Sequence, residues 1–126
     1  MAMQVTEIRI LLVEDNPMDA ELIGTWLGNA PHPHFVIDHV TNLAEALERL
    51  SAQAHDVVLV DLDLPDSSGI DTVVQVERRI PETPLIVLTA TDDDSLAMEA
   101  IQAGAQDYLV KGQGDANLYG CDCGNR

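Results

Sequence analysis

Five short apolar runs alternate with four segments of helical periodicity, and this alternation restricts the fold more than any other feature of the chain. The apolar runs occupy residues 8–13, 35–40, 57–60, 85–88 and 107–110. Between them, apolar residues recur about every third or fourth position, which is typical of amphipathic helices. Runs that are apolar on both faces belong in a parallel sheet covered by helices on both sides. The pattern therefore predicts a doubly wound α/β fold.

Local signals mark where the helices begin and end. Asn16 followed by Pro17 predicts the start of the first helix, and Asn42 predicts the start of the second. Pro81 stops the third helix, and Gly104 ends the fourth. Each predicted helix therefore fits between two successive predicted strands.

The length of 126 residues suits one compact domain. We expect residues 1–118 to form this domain and residues 119–126 to form an irregular tail. The tail contains Cys121 and Cys123, which lie too close to the end to crosslink the fold. A metal site or a strained disulfide at this pair is the alternative to an irregular tail.

The chain carries 22 acidic and 6 basic side chains, for a formal net charge of −16. Such a surface repels nucleic-acid phosphates and anionic lipids, so direct binding to either is not expected. No run of eighteen apolar residues is present, and the first residues lack the pattern of a secretion signal. The sequence is therefore expected to be cytoplasmic and not to associate with membranes.

Polar residues stand at the carboxyl ends of four predicted strands. Glu14 and Asp15 follow the first strand, Asp61 the third, Thr89 the fourth and Lys111 the fifth. Ligands of open α/β sheets bind outside these strand ends. Because the three carboxylates repel one another there, they predict a site for a hard divalent cation such as Mg²⁺. Aspartate can also act as a nucleophile toward a phosphoryl group.

Four segments resemble motifs of one family. They are LLVEDN at 11–16, VLVDLDLPDSSG at 58–69, VLTA at 87–90 and GAQDYLVK at 104–111. Together they resemble the receiver domain of two-component response regulators, over residues 8 to 118. The resemblance implies a flavodoxin-like strand order, 2-1-3-4-5.

The resemblance also implies a role for each acidic residue. Asp61 corresponds to the phosphoacceptor. Asp15, Asp61 and the backbone carbonyl of Asp63 correspond to Mg²⁺ ligands, and Glu14 to a residue that acts mainly through bound water.

Three further residues correspond to the switching part of the family site. Thr89 and Lys111 match residues that contact the phosphoryl oxygens. Tyr108 matches an aromatic ring that turns inward when the threonine hydroxyl closes on the phosphate. The surface around the fourth helix and fifth strand would then change what it binds.

The resemblance implies partners as well. The phosphoryl donor would be a phosphohistidine on a sensor histidine kinase or a phosphotransfer protein. The receiver would catalyse its own phosphorylation and slow dephosphorylation, without being a turnover enzyme. An output domain or downstream protein outside this chain would read the switch.

The sequence departs from the family pattern after Lys111. Gly112 replaces the usual proline, and residues 112–126 show no apolar stripe. The fifth helix is therefore expected to be missing or atypical. Homodimerisation through the face formed by the fourth helix, the fifth strand and the fifth helix is therefore possible but doubtful.

Two other function classes stay open at this point. The spacing of Asp61 and Asp63 also resembles haloacid-dehalogenase-type phosphatases, although their acidic pair comes last in the chain instead of first. A receiver-like interaction module that never carries phosphate is the other alternative.

Several other polar residues have structural interpretations. Asp66 is read as a turn residue and Asp71 as a residue of a helix N-terminus. His32 and His34 are read as loop residues in preference to a metal-binding pair. His39 and His55 are also given structural roles.

Overall fold

A computed structural model of the chain describes residues 7–29, 34–89 and 94–110. Strands and helices alternate through these residues as predicted. The elements are β1 (Glu7–Val13), α1 (Pro17–Gly28), β2 (His34–Val40), α2 (Leu43–Ala52), β3 (Val57–Asp61), β4 (Asp63–Leu64), β5 (Ser67–Ser68), α3 (Ile70–Arg79), β6 (Leu85–Thr89), α4 (Asp94–Gln102) and β7 (Asp107–Val110).

The five longer strands form one parallel sheet in the order β2-β1-β3-β6-β7. Counting only these strands, the order is 2-1-3-4-5, which confirms the predicted flavodoxin-like topology. The register brings the carboxyl ends to one edge, because Val13 lies between Val40 and Val60, and Thr89 lies beside Val110. Residues that end different strands therefore become neighbours.

The two faces of the sheet belong to two apolar clusters. Leu11 and Val13 of β1 join the cluster that includes α2, α3 and α4, whereas Ile10 and Leu12 join the cluster that includes α1. Helices therefore cover both faces, as the apolar character of the strands predicted. The same alternation places Val58, Val60 and Val87 in the first cluster and Leu59 and Leu88 in the second.

Several details differ from the sequence predictions. Asp61 and Thr89 are the last residues of β3 and β6, so each strand is one residue longer than predicted. The short antiparallel pair β4–β5 was not predicted, because two-residue strands leave no periodicity to detect. His34 begins β2 instead of lying in a loop, since it pairs with Glu7 of β1.

Several sequence predictions fall outside the described residues. Among them are the domain boundary at residue 118, the character of the fifth helix and the two cysteines. His32 and Lys111 lie outside as well. Within the described ranges, no helix has the length and apolar character needed to cross a membrane.

An acidic site at the carboxyl ends of the strands

Glu14, Asp15 and Asp61 form an acidic cluster at the carboxyl edge of the sheet. One carboxylate oxygen from each residue lies within 4.8 Å of the others. Glu14 is 0% exposed and Asp61 is 3% exposed, whereas Asp15 is open to solvent. This donor set contains only carboxylate oxygens, which Mg²⁺ and other hard cations prefer. The predicted convergence of these three residues is confirmed.

Backbone and side-chain hydrogen bonds hold Glu14 in place. Its Oε2 accepts a 3.0 Å bond from the backbone N–H of Asn16, and its own N–H donates to the carbonyl of Val40 at 3.0 Å. The ring Nε2 of His39 lies 2.8 Å from the Glu14 carbonyl oxygen. His39 therefore has a structural contact beside the site, in keeping with the role read from the sequence.

Helix α1 begins directly after the acidic pair. The Asn16 side chain accepts hydrogen bonds from the backbone N–H groups of Met18, at 2.9 Å, and Asp19, at 3.2 Å. Pro17 occupies the first turn, where its missing N–H leaves no bond unmade. The predicted cap is thus confirmed, and it fixes the start of α1 two residues after Asp15.

The loop after β3 folds back onto Asp61. Oδ1 of Asp61 accepts a 3.1 Å hydrogen bond from the backbone N–H of Asp63. The loop closes at its base, where the N–H of Gly69 donates to the carbonyl of Leu62 at 2.8 Å. Gly69 has φ of 66° and ψ of −151°, a conformation that side-chain-bearing residues rarely adopt. This glycine permits the tight return of the chain into α3.

Asp66 at the tip of this loop caps a helix that is distant in sequence. Its Oδ1 accepts a 2.8 Å bond from the N–H of Leu43, and its Oδ2 accepts a 3.0 Å bond from the N–H of Ala44. The pKa of Asp66 is lowered from its ordinary value of 3.8, first by the bond from Leu43 and also by that from Ala44, against an opposing effect of burial. The turn reading was correct, but the contact with α2 was not foreseen.

Thr89 and Tyr108 lie on the strands beside β3. Leu88 pairs with Asp61, so Thr89 stands one position beyond it, with 2% of its surface exposed. The Thr89 hydroxyl lies 3.5 Å from the Leu109 carbonyl oxygen, to which it donates a long hydrogen bond. Tyr108 is half-buried and packs against the cluster that includes α3 and α4. The structure thus brings Thr89 next to the acidic cluster, and places Tyr108 on the neighbouring edge strand.

Comparison with known proteins agrees with this fold. The response regulator receiver domain family matches residues 10–120. The two-component response regulator PhoP of Pseudomonas aeruginosa is 36% identical over 104 residues, covering 82% of this chain and 45% of that protein. The chemotaxis protein CheY of Thermotoga maritima is 30% identical over 103 residues, covering 82% of this chain and 84% of that protein.

A solved structure shows the same architecture. The phosphorylated cyanobacterial phytochrome response regulator RcpA superposes with a TM-score of 0.77 at 26% identity, covering 89% of this chain and 86% of that one.

The chain belongs to the receiver domain family of two-component response regulators. The matched region is less than half of the length of PhoP.

Proposed function

We propose that this chain accepts a phosphoryl group on the carboxylate of Asp61 and acts as a signalling switch. The observation that carries the proposal is the placement of Asp61. It ends β3 almost fully buried, within 4.8 Å of the Glu14 and Asp15 carboxylates. The related RcpA has been solved in a phosphorylated form, which supports this chemistry in a protein of the same fold.

Mg²⁺ is the proposed cofactor, and the residues present fit it. Asp15 and Asp61 would supply carboxylate oxygens, and Asp63 would supply its backbone carbonyl. Glu14 is fully buried and already accepts a bond from Asn16, which favours a contact through water. When bound, the cation would offset negative charge on the acidic residues and on the phosphoryl oxygens.

The transfer itself requires one nucleophile and a positioned donor. A carboxylate oxygen of Asp61 forms the bond to phosphorus, while the bond between phosphorus and the imidazole nitrogen of the donor breaks. The released electron pair stays on that nitrogen. Hydrolysis by water later restores the Asp61 carboxylate. The proposed donor is a sensor histidine kinase or a phosphotransfer protein, and the proposed location of the reaction is the cytoplasm.

The switch would act through Thr89 and Tyr108. A phosphoryl oxygen offers the Thr89 hydroxyl a charged acceptor in place of its 3.5 Å contact with the Leu109 carbonyl. Movement of Thr89 would make room for the half-buried Tyr108 ring. Only a conformation that binds phosphate more tightly is favoured by phosphorylation. Lys111 is proposed to contact a second oxygen, and a separate output domain or partner to read the change around α4 and β7.

Intact mass spectrometry after incubation with acetyl phosphate and Mg²⁺ tests the proposal. Wild-type protein is expected to gain one phosphoryl group, which is lost on standing. Asp61→Asn is expected to gain none. Glu48→Gln is the matched control, because it removes one exposed carboxylate on α2, away from the acidic cluster, and it is expected to react like wild type.

Other outcomes would support the alternatives. An unmodified but folded wild-type chain would contradict the switch and favour an interaction module. Repeated turnover of a chromogenic phosphate ester would instead favour a phosphatase, since the phosphoryl group on the proposed switch is hydrolysed only slowly.

A further inference from the structure

We propose that Asp66 is a positioning residue, which holds the loop after β3 in the geometry that the metal site at Asp61 needs. The inference rests on the proposed function, because it concerns the same site. Asp66 contacts none of the three clustered carboxylates in the hydrogen bonds described. It is argued to act through the loop, by fixing the loop tip to α2.

Two hydrogen bonds attach the tip of the loop after β3 to helix α2. Both oxygens of Asp66 accept hydrogen bonds, from the N–H groups of Leu43 and Ala44 at 2.8 and 3.0 Å. These N–H groups belong to the first turn of α2, which has no intrahelical acceptors for them. A carboxylate is favoured there by the helix dipole as well. The tip is therefore attached by two charge-assisted bonds to a regular element.

Helix α2 is itself bonded to the sheet and to α3. Arg49 of α2 pairs with Asp38 of β2, and the guanidinium of Arg79 on α3 donates to the carbonyl of Leu47 at 3.1 Å. Leu43 and Ala46 lie buried against the sheet. Helix α2 is thus held by the sheet and by its neighbouring helix, so a loop bonded to its N-terminus is held with it.

The short strands β4 and β5 connect the tip of the loop with the acidic site. The β4–β5 pair places Asp63 opposite Ser68 and Leu64 opposite Ser67, so the two sides of the loop move together. The N–H of Asp63 bonds to Oδ1 of Asp61, and the carbonyl of Asp63 is a proposed metal ligand. A loop freed at Asp66 would therefore loosen a hydrogen bond to the phosphoacceptor and a ligand of the cation at once.

Asn42 offers a matched control for the capping effect alone. Its side chain accepts a 2.8 Å bond from the N–H of Glu45 and so caps the same turn of α2. It belongs to the α2 side and makes no described hydrogen bond to the β4–β5 loop. Asn42→Ala should weaken the start of α2 without releasing the loop, whereas Asp66→Ala should do both.

The experiment compares wild type, Asp66→Ala, Asp66→Asn and Asn42→Ala at a temperature where circular dichroism shows all of them folded. Calorimetric titration with MgCl₂ gives the dissociation constant. Amide hydrogen exchange of the metal-free proteins reports on the N–H groups of Asp63, Leu43 and Ala44. Asp66→Asn keeps one carbonyl oxygen as an acceptor, so it serves as the conservative variant if Asp66→Ala fails to fold.

We expect Asp66→Ala to bind Mg²⁺ about tenfold more weakly, as is common when an indirect partner of a metal ligand is lost. Asp66→Asn should be intermediate, and Asn42→Ala should bind like wild type. Faster exchange at Asp63 should appear in Asp66→Ala and not in Asn42→Ala. Equal Mg²⁺ affinity in Asp66→Ala and wild type would overturn the inference and leave a merely structural cap.

Failure of the proposed function would look different. If wild type neither binds Mg²⁺ nor forms a phosphoryl adduct, the switch proposal fails. The exchange of the Asp63 amide in metal-free protein then decides the inference by itself. Unchanged exchange of the Asp63 amide in Asp66→Ala overturns the inference that Asp66 holds the loop, whereas faster exchange supports it.

Discussion

The backbone N–H of Asp63 donates a 3.1 Å hydrogen bond to Oδ1 of Asp61, so the loop after β3 is bonded to the carboxylate that ends the strand. The orientation of Asp61 therefore depends on the loop as well as on the sheet. The strand brings the carboxylate to the acidic cluster, and the loop supplies a hydrogen-bond donor to one of its oxygens.

Mg²⁺ should raise the melting temperature, because it binds the folded cluster and relieves repulsion among Glu14, Asp15 and Asp61. At about one hundred times its dissociation constant, the gain in the free energy of unfolding would be roughly 2.7 kcal/mol. Thermal melts with and without MgCl₂ at equal ionic strength measure it. Asp15→Asn should lose most of the gain, whereas Glu48→Gln, an exposed change on α2, should keep it. An equal gain in Asp15→Asn would contradict the site.

Gly69→Ala should lower the free energy of unfolding by about 1–3 kcal/mol, because a side chain strains the backbone at φ of 66°. No atom lies within 4 Å of an added Cβ at this position, so the effect should come from the backbone alone. Gly24→Ala is the control. Gly24 lies inside α1 with equally open surroundings, and alanine there should stabilise by roughly 0.5–1 kcal/mol. Chemical denaturation measures both changes, and destabilisation by both variants would refute the argument.

Asp38 should contribute to stability in a pH-dependent way. Burial would raise its pKa, but hydrogen bonds from Arg49, His55 and Gln53, with the charge of Arg49, lower the pKa below the ordinary value of 3.8. A carboxyl group whose pKa is lower in the folded than in the unfolded protein stabilises the fold at pH values above the unfolded-state pKa. That contribution is lost as the pH falls from about 3.8 through the lower folded value.

Asp38→Asn should therefore cost about 1–3 kcal/mol at neutral pH, because the amide keeps only one of the two acceptor oxygens and has no charge to pair with Arg49. One partner of Asp38, His55, has a fully buried side chain whose Nδ1 already has no hydrogen-bond partner among the described residues. Urea titrations over pH 7 to 3 give the free energy of unfolding. The difference between wild type and variant should shrink in the acidic range, and a constant difference would count against the linkage.

Asn16→Ala should destabilise the chain by about 1 kcal/mol, because the N–H groups of Met18 and Asp19 lose their acceptor. The Mg²⁺-dependent gain should persist, because Glu14 is held by the backbone N–H of residue 16, which alanine retains. Asn16→Ser keeps a capping oxygen and should recover most of the stability. Loss of the Mg²⁺ effect in Asn16→Ala would show that the side chain itself shapes the acidic site.

Much of the fold was predictable because its signals are local. Strands apolar on both faces, together with Asn16 and Asn42 as caps, indicated the alternation and the helix starts. Parallel strands share one edge for their carboxyl ends, so the meeting of Glu14, Asp15 and Asp61 also followed from their sequence positions. The resemblance to receiver domains added the strand order, which periodicity alone does not determine.

Contacts between distant segments were not predictable. Aspartate is common in turns, so the sequence indicates no more than a turn at Asp66. Nothing near it in sequence indicates that Leu43 and Ala44, more than twenty residues away, supply its hydrogen-bond donors. The meeting of Asp38, Arg49 and His55 likewise depends on how α2 packs against β2. The β4–β5 pair is too short to leave a pattern.

The sequence by itself determined the layers, the helix starts and the set of residues at the carboxyl edge, because periodicity and capping act within a few residues. Only the tertiary structure decided how the loop after β3 is held. The position of the loop depends on two N–H groups at the N-terminus of α2 that lack acceptors within the helix and bond to Asp66. It also depends on the burial that places this helix beside the loop, and on a glycine whose backbone can turn the chain into α3. These features depend on contacts between segments that are distant in sequence, and local sequence patterns carry no information about such contacts.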